Sequence, residues 1–171
     1  MRLRENMRRR CASAAIFIVL ALPLSAHAMA SKGAYAPPFN VWTLSGQNVT
    51  LSTYKGKVLV LDFFATWCAP CRLSIPHFID LNGKYGKQGL QVLGMSLDEG
   101  GEKTVKGFIA DKKINYPVAM ANEELYNDYG LRSLPTLFVI NKKGIIVEKY
   151  LGFNDEIAKS LEALIRKLLA E

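Results

Sequence analysis

Two apolar rhythms alternate along this chain, and together they predict its elements. Val58 to Phe64 and Leu90 to Leu97 are near-continuous apolar runs, the pattern of parallel strands covered on both faces. Between them, Ile75, Phe78 and Ile79 follow Cys71 at i+4, i+7 and i+8, one face of a helix starting near Ala69. Pro76 within that helix removes one backbone bond and predicts a kink. Val105, Phe108 and Ile109 mark a second helix, Tyr116 to Met120 a short strand, and Leu125, Tyr126 and Tyr129 a third helix. Two hairpins frame the whole. One pairs Phe39–Leu44 with Asn48–Leu51 across Ser45-Gly46-Gln47, and the other pairs Pro135–Ile140 with Ile145–Tyr150 across Asn141-Lys142-Lys143-Gly144. Ile157, Leu161, Leu164, Ile165 and Leu168 give a closing amphipathic helix. The reading is α/β, a mixed sheet with helices on both faces.

The N-terminal region follows a different pattern. Five arginines and one glutamate in the first ten residues precede an apolar run from Ala12 to Leu24, then Ser25-Ala26-His27-Ala28. Basic start, short apolar stretch and an Ala-x-Ala exit predict an export signal over residues 1–28, cleaved after Ala28, or after Ala30 at a second Ala-x-Ala. An uncleaved anchor is the alternative, although the run is shorter than the roughly 20 apolar residues of a spanning helix. Residues 29–38, ending in Pro37-Pro38, read as a linker, and 39–171 as one domain. Removing the leader takes five of 22 basic and one of 15 acidic residues, so the net charge falls from +7 to +3. No basic block remains to argue for nucleic acid, and that partner is discounted.

Trp67-Cys68-Ala69-Pro70-Cys71 carries the chemistry. Cys68 falls at a helix N-terminus, where free backbone N–H groups and the macrodipole favour a thiolate. Such placement lowers a thiol pKa from about 8.5 into roughly the 3.5–7.5 range. Cys71, one turn later, lies on the core face. Cys68 is therefore expected to attack and Cys71 to resolve. A zinc site is the bland alternative, but zinc takes three or four protein ligands. Beyond this pair the chain offers Cys11 and His27, both in the leader, and His77, expected as a lone surface histidine. No metal and no cofactor is expected. With Cys11 removed, one cysteine pair remains in an exported protein, and so tight a ring staples little. Pro70 fixes the first helical turn. Trp67 is expected to border the thiols and shape access to Cys68, with plain core packing as the alternative.

This motif after a buried strand, together with the downstream proline and Leu134-Pro135-Thr136, resembles the thioredoxin superfamily across roughly Phe39 to Leu169. The N-terminal hairpin and the strand–helix insert from Tyr116 to Tyr129 narrow the resemblance to its exported TlpA/ResA-like branch. The resemblance implies a thioredoxin fold with those two additions. It also implies a proton-relay role for Asp62, six residues before Cys68; a local hydrogen bond near the strand end is the alternative. Many relatives of this branch carry a glutamate three residues after the second cysteine, where this chain has Ser74. Pro135 would be cis and face the active-site pair, leaving the Leu134 backbone free to bind an extended substrate; without the resemblance it reads as a strand-initial proline.

The expected activity is thiol–disulfide exchange through a mixed disulfide. The clients are disulfide-containing exported proteins, apocytochrome c among them by resemblance, and a membrane thiol donor supplies electrons to a monomer in the periplasm. Ala69-Pro70 looks like the dipeptides of reducing relatives, and a disulfide oxidant is the opposite direction. A Cu(I)-binding module is a rival from another class, since thiolates suit Cu(I). A thiol peroxidase would need a Pro-x-x-x-Thr-x-x-Cys pattern, and Leu61 stands where its proline should be.

Overall fold

The computed structural model describes residues 30–171; the leader, Cys11 and His27 lie outside the described residues. Strands β1 (Asn40–Trp42) and β2 (Asn48–Thr50) form the first hairpin as a separate two-stranded sheet. Then follow β3 (Val58–Phe64), α1 (Ala69–Tyr85), β4 (Leu90–Ser96), α2 (Gly101–Lys112), β5 (Val118–Met120), α3 (Glu123–Asp128), β6 (Thr136–Ile140), β7 (Ile146–Leu151) and α4 (Asp155–Ala170). The main sheet has the order β5-β4-β3-β6-β7, with β3, β4 and β5 parallel and β6 and β7 antiparallel to their neighbours. This is the predicted mixed sheet of a thioredoxin fold, with its hairpin and its insert.

β3 is buried along its whole length because it is the middle strand and both its faces are covered. Leu59, Leu61 and Phe63 point to a core shared with Phe39, Met95, Tyr129 and Phe138. Val58, Val60 and Phe64 point to the other, built with Phe78 and Leu81 of α1 and Leu161 and Ile165 of α4. Two-residue alternation therefore puts Asp62 on the α1/α4 side, the same side as Cys71. Burying a Leu, Ile or Phe in such a core contributes about 1.5–3 kcal/mol each.

Three expectations need correction. Residues 31–38 do not stand off the domain as a linker. Gly33 donates to Ile146 O (2.8 Å), Ile146 to Ala34 O (2.9 Å) and Ala36 to Gly144 O (2.9 Å), while Tyr129 Oη donates to Pro37 O (2.8 Å). Small residues there let the backbone lie against the start of β7, covering an otherwise open sheet edge. Secondly, His77 is not on the surface: it is half-buried against Phe78 and Phe153, its Nε2 is buried without a partner among the described residues, and burial lowers its pKa. Thirdly, only Val118–Met120 of the predicted Tyr116–Met120 strand pairs as β5, because Pro117 has no N–H to give and Tyr116 turns inward. Helix α1 runs on through Pro76, which is exposed, on a turn where one lost backbone bond is tolerated.

Candidate active site

The turn from β3 into α1 places the two sulfurs differently. Cys68 is the N-cap of α1, with extended backbone (φ −77°, ψ 112°), and its Sγ accepts a hydrogen bond from Cys71 N (3.3 Å). Pro70 occupies the first helical turn, where its missing N–H costs nothing. The two cysteines form a disulfide with Cα atoms 5.3 Å apart. Cys71 is wholly buried, whereas Cys68 keeps 5% exposure and opens onto a groove of about 810 Å³. Trp67 borders that groove with 68% of its surface exposed, which sets aside the core-packing alternative.

Leu134 forms the facing wall. The Leu134–Pro135 bond is cis, Pro135 is buried, and Pro135 O accepts from Gly152 N (2.8 Å). Among the described residues the Leu134 N–H and C=O have no hydrogen-bond partner. A third wall comes from the insert, through Asn122, Glu123 and Tyr126 at the start of α3. Asn122 caps this helix by accepting from Leu125 N (2.9 Å), which holds a six-residue helix in place. The groove thus unites Trp67, Cys68, Pro70 and Leu134, with Pro135 buried beside it, and excludes Cys71.

Asp62 lies beneath, fully buried, and among the described residues neither carboxyl oxygen has a hydrogen-bond partner, against the local-bond alternative. Burial pushes its pKa up to about 8, because an unpaired carboxylate in an apolar core is costly. Its register neighbours offer no charge: Leu137 on β6 and Gly94 on β4. A Cβ at Gly94 would come within 3.1 Å of Phe64 Cε1 and 3.2 Å of Val118 Cγ2, so a larger residue there would have to push those side chains aside. Ser74 is buried and donates to Cys71 O (2.9 Å), so it braces the helix instead of supplying an acid.

Two positioning residues, Asp98 and Arg72, escape sequence reasoning. Asp98, 7% exposed, accepts from Thr66 N (2.9 Å), from Thr66 Oγ1 and from Ser96 Oγ (2.8 Å). From the other side Arg72 Nε donates to Thr66 O (2.8 Å) while its guanidinium lies 5.9 Å from the Phe108 ring centre. Thr66 is therefore clamped above and below, two residues before Cys68. Ser96-x-Asp98, just past the C-terminal end of a parallel strand, is the signal that could have found this clamp.

Residues 33–149 match the AhpC/TSA family. The chain is 34% identical over 137 residues to the thiol-disulfide oxidoreductase ResA of Bacillus thuringiensis (strain Al Hakam), covering 80% of this chain and 78% of that protein. It is 33% identical over 122 residues to the thioredoxin-like protein YneN of Bacillus subtilis (strain 168), covering 71% and 72%. In three dimensions it is similar to a Chlorobium tepidum structure described as a thiol:disulfide interchange protein DsbE, with a TM-score of 0.77 and 33% identity over 82% of this chain and 99% of the other.

Proposed function

This chain belongs to the AhpC/TSA family as a thioredoxin-like thiol-disulfide oxidoreductase, and on that premise we propose that it reduces disulfides of exported client proteins, apocytochrome c among them. The carrying observation is the asymmetry of the pair, with Cys68 open to the groove and Cys71 sealed on the side of Asp62. In the reduced enzyme the Cys68 thiolate attacks a client disulfide. A Cys68–client S–S bond forms, and the client's other sulfur leaves as a thiolate. Cys71 then gives its proton to the Asp62 carboxylate and attacks Cys68 Sγ. The enzyme disulfide closes, and the client departs with two thiols. Burial keeps most of Asp62 protonated at neutral pH, so its ionised fraction takes the Cys71 proton and resolution quickens as pH rises toward about 8.

The extended client backbone pairs with the free Leu134 N–H and C=O, and selectivity comes from Trp67 and the α3 wall. Regeneration takes two electrons from a membrane thiol donor. The leader, residues 1–28, directs the chain to the periplasm, and the domain works there as a monomer. No helix among the described residues is long and apolar enough to cross a membrane. The reducing direction follows from the motif: Ala69 and Pro70 offer no side-chain donor to the Cys68 thiolate, so the dithiol form gains little stabilisation. Equilibrating the pair against glutathione and thioredoxin buffers tests this. A potential at or below roughly −200 mV supports a reductant, and one near about −120 mV marks an oxidant and overturns the proposal.

A further inference from the structure

A second cavity, of about 330 Å³, lies at the opposite end of β3 from the thiols. Phe39, Leu51, Leu59 and Ile140 line it, so its interior is apolar. Three lysines, Lys55, Lys57 and Lys143, also line it; all three are exposed, and none forms an ion pair among the described residues. No aspartate or glutamate is among the lining residues. Tyr54 completes the lining. Its ring is buried, and its hydroxyl makes no hydrogen bond among the described residues, which leaves that hydroxyl available to a ligand. Neither cysteine reaches this cavity, and thiol exchange leaves it unused.

We propose that this cavity binds a medium-chain fatty-acid carboxylate, its acyl chain inside and its head against the three lysines. The volume sits at the lower end of small-molecule sites and accommodates one chain of on the order of ten carbons, not the two of a phospholipid. The chain replaces water against apolar side chains. Charge complementarity selects an anionic head over a neutral one, since three lysines and no carboxylate line the cavity. Tyr54 Oη donates the hydrogen bond it otherwise lacks. Because β3 separates this cavity from the groove, a bound chain leaves disulfide exchange unchanged.

Titrating the ¹⁵N-labelled full chain with decanoate, below its micelle concentration, tests the assignment by amide shifts. Saturable binding with shifts at Leu51, Tyr54, Leu59 and Ile140, and none at Trp67 or Cys68, is expected. Decanol should bind at least about tenfold more weakly, as should decanoate to the K55E/K57E/K143E variant, with disulfide exchange intact in that variant. Tyr54→Phe keeps the ring and should weaken decanoate several-fold, an arm that does not depend on the triple variant folding. Non-saturating shifts, equal affinity for decanol, or unchanged affinity in both variants would overturn the proposal. So would binding to anionic phosphatidylglycerol vesicles without binding to decanoate, which would make the lysines a membrane-surface patch.

Discussion

Between about pH 4 and pH 8 an unfolded chain has released the Asp62 proton while the native chain still holds it, since burial raises this carboxyl from an ordinary value to about 8. The native state then binds more protons than the unfolded one, so its stability falls as pH rises through that window and levels off above about pH 8. Asp62→Asn should flatten this slope and raise the melting temperature at pH 8, read by calorimetry on the oxidised protein. A slope left unchanged by Asp62→Asn would mean that Asp62 is ionised in the fold. Slower resolution of the mixed disulfide in the same variant is the functional expectation; an unchanged rate would leave Asp62 a structural residue. Asp98 makes a different prediction. Asp98→Ala strips the buried Thr66 N–H of its acceptor and should cost about 1–3 kcal/mol by chemical denaturation, with slower exchange at Cys68. Asp62 was legible because a lone charge in an apolar strand stands out. Arg72 was not, because its partner is the Thr66 backbone carbonyl, and Asp98 was not, because Thr66 lies 32 residues away and Ser96-x-Asp98 alone does not name that partner.

Helix boundaries decide which sulfur reacts, and they were readable where caps and periodicity agree. α1 begins at Ala69 as the spacing predicts, so the macrodipole and the free N–H groups of its first turn act on Cys68. Alkylation of the reduced protein across pH should therefore modify Cys68 first, with a transition below about 8.5. Preferential labelling of Cys71 would reverse the assignment. α3 is six residues long and leans on its Asn122 cap. Asn122→Ala should cost about 1 kcal/mol of local stability and loosen one wall of the groove. Protein clients should then show a raised KM while a small disulfide reagent reacts as before; an equal effect on both would mean that the insert does not select clients. The strand at Tyr116 was read two residues too long, since a pattern of apolar residues does not register that Pro117 can accept from Gly94 N (3.0 Å) but has no N–H to donate.

On the scale of the whole molecule, the N-terminal residues cover both edges of the main sheet. Residues 33–36 bond along the start of β7, and the first hairpin meets β5 through the Thr43–Ala119 bridge and Leu44 N to Val118 O (2.7 Å). The apolar pattern of β3, β4 and β6 was enough to predict a mixed sheet, but an edge contact made by Gly and Ala backbone has no hydrophobic signature and looked like a linker. Within this frame Cys68 is the sulfur that opens onto the active-site groove, and Cys71 is sealed beneath it. The most direct test of that account is to mix the reduced Cys71→Ser variant with a disulfide-bonded apocytochrome c peptide and map the adduct by mass spectrometry. The account predicts a mixed disulfide on Cys68, with no comparable adduct on Cys71 in the Cys68→Ser variant. Rapid adduct formation on Cys71, or none on Cys68, would contradict it.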